Sequence, residues 1–375
     1  MANDRWRAVA FTAASHGPLS AQRQVLRRRP IEPGPKFEPL PTPVGLPPYR
    51  RALADVLGPD QMQAIERAGA LRFHCVGDTG GWRDPRPQRR VAKVMVEELA
   101  EPEPAHFFYH LGDIVYPHGE DAHYSAQFLS PYADYDAPIF AVPGNHDGEV
   151  VGDSRAGPLE PFVRTFCSSA APLHDAAIRV PRPSSVQPHV FWTLVHDWVW
   201  VVGLYTNVDE DGEIEADQLE WLTGELAAAP SDVTLIVALH RPVYSADIVH
   251  GSNLALGDAL DACFHRADRL PDAVFGAHAH NYQRFGRRVD GRTIPYVVAG
   301  AGGFHERHRI GAGVTELPAS FPGLPSLTLE AYEWAEHGFM TVTVGRRGGQ
   351  VVYRTVSDAG ARTFDTFAIV PGRLG

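Results

Sequence analysis

The feature that most constrains this chain is a series of short apolar runs, each stopped by a residue with a metal-binding or acid–base side chain. Leu71-Arg72-Phe73-His74-Cys75-Val76 ends at Gly77-Asp78, and Phe107-Phe108-Tyr109-His110-Leu111 ends at Gly112-Asp113. Pro138-Ile139-Phe140-Ala141-Val142 runs into Pro143-Gly144-Asn145-His146-Asp147. Val233 to Leu239 stops at His240, and Ala273-Val274-Phe275-Gly276 precedes His278 and His280. Runs this short, rich in β-branched and aromatic residues, read as buried strands. Helical patterns lie between them near 87–100, 120–130, 215–228 and 256–268. A strand, a helix and a strand in succession give a parallel pair with a right-handed crossover. In an open α/β sheet the carboxyl ends of the strands are where ligands bind, so the five endings are expected at one edge.

Two further β-rich runs, 190–195 and 198–205, flank His196-Asp197 and read as a hairpin. Late strands are expected at 294–299, 339–344, 350–356 and 363–370. Alternating βα units followed by antiparallel strands predict an α/β fold of four layers, α/β/β/α, in which two mixed β-sheets pack face to face with helices outside. The chain of 375 residues divides into a segment 1–70 and a catalytic domain 71–372. The first part holds eight prolines between Pro30 and Pro48, which favour an extended arm, then helical patterns at 49–57 and 60–69. The stretch 148–188 is broken by prolines and reads as a long functional loop with one helix near 159–168.

Composition excludes some partners. A formal net charge of -11 argues against a nucleic-acid or anionic-membrane binder, since such proteins need a basic face. It leaves an anionic substrate open, because bound cations would dominate the local field. No run approaches the roughly 20 apolar residues of a membrane helix, and no signal-peptide core is visible. Cys75, Cys167 and Cys263 are too few and too scattered for a disulfide framework, which points to a reduced, cytoplasmic setting.

The chemistry lies in the strand endings. Asp78, Asp113, Asn145, His146, His240, His278 and His280 are collected there, and Tyr116 follows Asp113 closely enough to turn its phenol to the same centre. Iron, manganese and zinc take imidazole and carboxylate ligands, and an Asn carbonyl or a phenolate completes harder sites. A carboxylate at its own strand end can bridge two cations with its two oxygens. The run Gly300-Ala301-Gly302-Gly303 does not open a helix with phosphate-loop spacing, and His305 and His308 beyond it read as solvated loop residues. No nucleophile-elbow pattern supports covalent acyl transfer.

The ordered blocks Gly77-Asp78-Thr79-Gly80, Gly112-Asp113-Ile114-Val115-Tyr116, Gly144-Asn145-His146-Asp147, Val237-Ala238-Leu239-His240 and His278-Ala279-His280 resemble the calcineurin-like metallophosphoesterases, and more closely their purple acid phosphatase branch. Many relatives carry a His ligand two residues after the first Asp; here that position is Gly80, and Tyr116 is placed to supply the missing donor. His250, ten residues beyond His240, stands where the branch places a substrate-facing His. The chain departs from the usual Gly-His-x-His at Ala277.

The resemblance implies two metal ions, Fe(III) with divalent Fe, Mn or Zn. One would be held by Asp78, Tyr116 and His280, the other by Asn145, His240 and His278, with Asp113 between them. It implies hydrolysis of a phosphorylated small molecule, most simply a phosphomonoester, through attack on phosphorus by a metal-bound hydroxide. His146 would serve the leaving oxygen, Asp147 would orient the His146 ring, and His250 would contact the phosphoryl group. A phosphodiesterase acting on a cyclic nucleotide, a nucleotide or a lipid headgroup would use the same centre. A non-catalytic module of this fold would have lost at least one of these residues, and every position is filled.

Overall fold

The computed structural model describes residues 40–149, 157–168, 186–206, 213–311, 313–321 and 323–372. The arm expected at 30–48 therefore falls mostly outside the described residues, as does most of the long loop at 148–188. In chain order the elements are β1 (Arg50–Ala52), α1 (Ala54–Ala68), β2 (Leu71–Val76), α2 (Arg86–Glu98), β3 (Phe107–His110), α3 (Asp121–Tyr124) and β4 (Ile139–Ala141). They continue with α4 (Asn145–Gly148), α5 (Glu160–Phe166), β5 (Trp192–His196), β6 (Val199–Gly203), α6 (Ala216–Ala228), β7 (Thr234–Ala238), α7 (Leu254–Ala267) and β8 (Ala273–Gly276). Antiparallel strands close the chain: β9 (Tyr282–Val289), β10 (Arg292–Ala299), β11 (Ala319–Phe321), β12 (Leu324–Glu333), β13 (His337–Gly345), β14 (Gly348–Ser357) and β15 (Gly360–Ile369).

They form two mixed sheets. One has the order β1-β5-β6-β7-β8-β10-β9-β12-β11, the other β15-β14-β13-β2-β3-β4. The period of two along each strand sorts the side chains into layers. Phe107 and Tyr109 of β3 join Phe73, Phe140 and Met340 in the central core, facing Trp192, Val201, Ile236 and Phe275 of the other sheet. Phe108, on the opposite face of β3, packs outward with Val91, Ala92 and Met95 of α2. Leu235 and Val237 of β7 likewise turn outward, against Leu222 and Leu226 of α6 and Leu260 and Phe264 of α7. The result is the expected α/β/β/α sandwich of two packed sheets flanked by helices.

Two parts of the pattern differ from expectation. The helical pattern over 49–57 divides: Arg50–Ala52 pairs in parallel with Thr193–Val195 at the sheet edge, and helix begins at Ala54. Arg50 has a reason to lie flat there, because its guanidinium clasps the buried Glu225 carboxylate at 2.9–3.1 Å. Strands β9, β11 and β12 carry no strong apolar signal. In β9 the polar Arg287 is buried, its charge matched by Asp261 at 2.6 and 2.8 Å and by the Tyr296 hydroxyl at 2.8 Å.

Candidate metal centre

The topology delivers the five strand endings to one place. β2, β3 and β4 are parallel neighbours in one sheet, and β6, β7 and β8 are parallel neighbours in the other, so their carboxyl ends share an edge. The turns interlock within and across the sheets: Asp78 N–H donates to Gly112 O of the neighbouring strand's turn at 2.9 Å, and His278 N–H, from the other sheet, donates to Oδ2 of Asp78 at 2.8 Å. Asp78, Asp113 and His278 all take positive φ, 54°, 54° and 67°. Non-glycine residues in this region cost energy and gather at functional sites.

Asp113 stands in the middle. Its Oδ2 lies 3.0 Å from the Tyr116 hydroxyl and 3.4 Å from Nε2 of His240, while Oδ1 accepts from His146 N–H at 3.0 Å. On one side the Tyr116 hydroxyl is also 3.1 Å from Oδ1 of Asp78, and Nε2 of His280 lies 3.5 Å from both. On the other, Nδ1 of His278 lies 3.2 Å from Nε2 of His240. Asp113, His240 and His278 offer donor atoms all within 4.8 Å of one another.

The rings are aimed by backbone carbonyls. Nδ1–H of His240 donates to Leu111 O at 2.8 Å, and Nδ1–H of His280 donates to Glu306 O at 2.8 Å. Each bond fixes the tautomer that leaves Nε2 facing inward, the second-layer arrangement that metal-binding imidazoles use. Arg241 donates to Nε2 of His278 at 3.0 Å, so Nδ1 of that ring faces the centre.

The electrostatics ask for cations. Burial pushes the Asp78 carboxyl up to about 7, with the neighbouring Asp113 charge adding to the rise and His240 opposing it. Burial also works against ionised Asp113, but His240 and His146 outweigh it and hold that carboxyl low. His240 loses to burial and gains more from Asp113, reaching about 9. Burial, then the charges of Asp113 and Asp78, lift Tyr116 well above the usual phenol range. His278 and His280 are driven well below the usual imidazole range, first by burial. Asn145 Oδ1 is buried without a hydrogen-bond partner. Two crowded carboxylates, inward lone pairs and an orphaned carbonyl oxygen fit metal cations.

Gly80 explains the exchange of donors read in the sequence. A Cβ there would lie 2.6 Å from Cδ2 of Tyr116 and 2.7 Å from Oε1 of Gln127, so the phenol ring fills the space a residue-80 side chain would need. Ala277 is accommodated in a similar way. The positive φ of this turn falls on His278, and the neighbour across is Gly77, whose added Cβ would sit 2.6 Å from that of Ala277.

His146 is half-exposed, its Nδ1 bonded to Pro117 O at 2.8 Å and its ring centroid 4.6 Å from that of Tyr116. His250 sits with its ring 4.0 Å from that of His278. Asp147 does not orient the His146 ring. Its carboxylate instead accepts from the amides of Ile114 at 2.9 Å, Val115 at 3.3 Å and Gly144 at 2.8 Å, tying the Asp113 turn to the Asn145 turn. His308, read from sequence as a solvated loop residue, stacks on His280 at 4.3 Å and lies 5.2 Å from His250. No local pattern marks it, because its neighbours are distant in sequence.

A four-layer fold that gathers this donor set at the shared edge of both sheets belongs to the α/β proteins built to hold metal ions there. The sequence model of the calcineurin-like phosphoesterase family matches residues 71–282, and the chain belongs to that family, on its purple acid phosphatase-like branch. It is 28% identical over 311 residues to human tartrate-resistant acid phosphatase type 5, spanning 76% of this chain and 90% of that one. It is 30% identical over 155 residues to purple acid phosphatase 22 of Arabidopsis thaliana, spanning 39% of this chain and 32% of that one. The structure of a purple acid phosphatase from yellow lupin seeds superimposes with a TM-score of 0.59 at 18% identity, over 80% of this chain and 54% of that one. The chain thus spans about a third of the Arabidopsis relative and about half of the lupin structure. Among the described residues no helix is long and apolar enough to cross a membrane.

Proposed function

We propose that the chain hydrolyses phosphomonoesters of small molecules at a dinuclear metal centre of the purple acid phosphatase type. The observation that carries this reading is Asp113, whose carboxylate stands between Tyr116, with Asp78 and His280 beside it, and His240, with His278 beside it; the orphaned Oδ1 of Asn145 is the donor the reading adds to the His240 side. Those groups would hold Fe(III) and a divalent Fe, Mn or Zn ion, the tyrosinate favouring Fe(III). Bound there, two cations activate water toward phosphorus and neutralise charge on the phosphoryl oxygens. The chain's own part is to position. Leu111 O and Glu306 O hold the two imidazoles, and Asp147 holds the Asp113 and Asn145 turns together. His146, at the half-exposed edge, carries a proton toward the leaving oxygen, and His250 contacts the phosphoryl group.

The test combines metal analysis with a visible spectrum and an assay of p-nitrophenyl phosphate beside its bis ester. Bound iron, an absorption band lost in Tyr116→Phe, and turnover of the monoester lost in Asp113→Ala are expected. Turnover of the bis ester alone would move the assignment to a phosphodiesterase. Protein that holds no transition metal, with hydrolysis unchanged in Asp113→Ala, would overturn the reading.

A further inference from the structure

The substrate side of the centre is made by three loop segments, 244–251, 278–283 and 304–311, which meet through a closed polar network. Short bridges start the assembly: Ala246 pairs with Gly251, Asp247 pairs with Ile310, and Ile248 N–H donates to Arg309 O at 3.0 Å. Asp247 is buried where the three meet. Its Oδ1 accepts from the amides of Val249 at 2.6 Å and His250 at 2.8 Å, and its Oδ2 accepts from Nδ2 of Asn281 at 2.7 Å. Asn281 passes the connection on, donating to His308 O at 3.0 Å and accepting from Nε2 of Gln283 at 2.9 Å. Gln283 donates in turn to Oγ of Ser245 at 3.1 Å, and that oxygen accepts from Asp247 N–H at 3.2 Å, which closes the ring.

Two imidazoles hang on this network. His250 is held through its own amide. His308 is held through its carbonyl, and its Nδ1 stands 3.5 Å from Oδ1 of Asp247, a separation at the long edge of hydrogen bonding. Contacts of this kind are often loose before a substrate is bound and tighten with it. The rings of His278, His308 and His280 lie 4.0, 5.2 and 6.2 Å from that of His250, and the Arg241 guanidinium, a cationic donor suited to an anion, acts on it electrostatically.

A turn that needed only a cap would be served by any small acceptor. Here the acceptor is a full carboxylate, and besides the two amides and Asn281 it faces Nδ1 of His308, whose ring stacks on that of His280. We infer that Asp247 is the positioning residue that holds His250 and His308 as a pair of donors to the substrate phosphoryl group, with His308 a second contact beside His250. The inference rests on the phosphoric ester reading of the centre, and it adds to that reading the residue that sets phosphoryl affinity.

The experiment compares metal-loaded native protein with Asp247→Ala, Asp247→Asn and His308→Gln. The readouts are p-nitrophenyl phosphate kinetics, metal content, and calorimetric binding of inorganic phosphate. In Asp247→Ala, KM for the ester and Kd for phosphate are expected to rise about tenfold or more, while metal content holds and kcat changes by about threefold or less. His308→Gln moves the same constants in the same direction, and the double variant does no worse than Asp247→Ala, because both act through one network. Asp247→Asn keeps an acceptor for the two amides and falls between. KM and phosphate affinity within about twofold of native in a folded, metal-loaded Asp247→Ala would overturn the inference. If that variant does not fold, the same unchanged values in both Asp247→Asn and His308→Gln would do so. Native protein that hydrolyses no ester removes the proposed function, and the phosphate titrations then decide the positioning role alone.

Discussion

Gly80→Ala tests whether the Tyr116 ring takes the place of a residue-80 side chain. The backbone at Gly80 lies outside the left-handed region, so alanine enters without conformational strain and the effect is steric. The new Cβ would meet Cδ2 of Tyr116 at 2.6 Å, Oε1 of Gln127 at 2.7 Å and Ile114 O at 3.0 Å. None of these yields easily. The phenol ring lies between Phe304 and His146, with centroids at 4.0 and 4.6 Å, and Oε1 of Gln127 accepts from Tyr116 N–H at 3.0 Å. Overpacking of this kind costs about 1–3 kcal/mol. At roughly 2–4 °C per kcal/mol for a chain of this order, the metal-free midpoint should fall by about 2–12 °C. In a Tyr116→Ala background the worst contact is gone, so the same substitution should cost at least about 0.5 kcal/mol less, the coupling expected of touching residues. The assay is urea unfolding of the four proteins of the cycle after chelation, with iron content measured on reloading. Additivity within about 0.5 kcal/mol would refute the claim that ring and residue 80 compete for one space.

Chelation of native protein should lower its unfolding midpoint, because a ligand present at about 100–1,000 times its Kd adds about 3–4 kcal/mol; Asp113→Ala should show little further loss on chelation. His189 and His337 are buried and pushed down to about 4, chiefly by burial. A folded pKa below the unfolded one means that the unfolded chain binds more protons, so stability is intact above about pH 6.5 and is lost as pH falls toward 4. His189→Phe, set between the rings of Tyr49 and Phe191, should flatten part of that decline in urea midpoints measured between about pH 7 and pH 5. Asp261→Ala leaves the Arg287 guanidinium buried without its carboxylate and should cost about 3–5 kcal/mol in urea unfolding.

The strand endings were legible because β2, β3, β4, β7 and β8 are covered on both faces, which makes their sequences mainly apolar, and each run gives way to a turn that carries a metal-binding side chain. The parts that were not legible follow from the same physics. Strand β9 buries Gln283 and Arg287 against Ser245 and Asp261, 38 and 26 positions away, so its own sequence looks like that of a solvated strand. Strand β1 is only three residues long and owes its pairing to Glu225, distant in the chain. Asp147 was recognised as part of the site, but its contacts with the amides of residues 114, 115 and 144 arise only from folding. His308 belongs to the pocket through ring stacking, which leaves no spacing in the sequence.

Strain and charge at this edge point the same way. Left-handed backbone at Asp78, Asp113 and His278 costs on the order of 1–3 kcal/mol each, and two carboxylates brought to one phenol oxygen repel each other across a dry interior. A chain selected for stability alone would place Asn or Gly at such turns, since both tolerate positive φ and neither brings charge. This chain keeps Asp at two of them and His at the third, and braces the arrangement with amide hydrogen bonds, His278 N–H to Asp78 across the sheets and His146 N–H to Asp113 within one of them. The expense is offset only by positive charge at the centre. Hence Asp78→Asn, at a carboxyl that burial pushes up to about 7, should leave the chelated protein as stable as native or more so while it weakens the metal-loaded form, whereas Asp113→Asn, which leaves the buried His240 imidazolium without its carboxylate, should weaken both. A chelated Asp78→Asn less stable than chelated native would show that this carboxylate serves the fold, and the case for a cation centre would lose its physical footing.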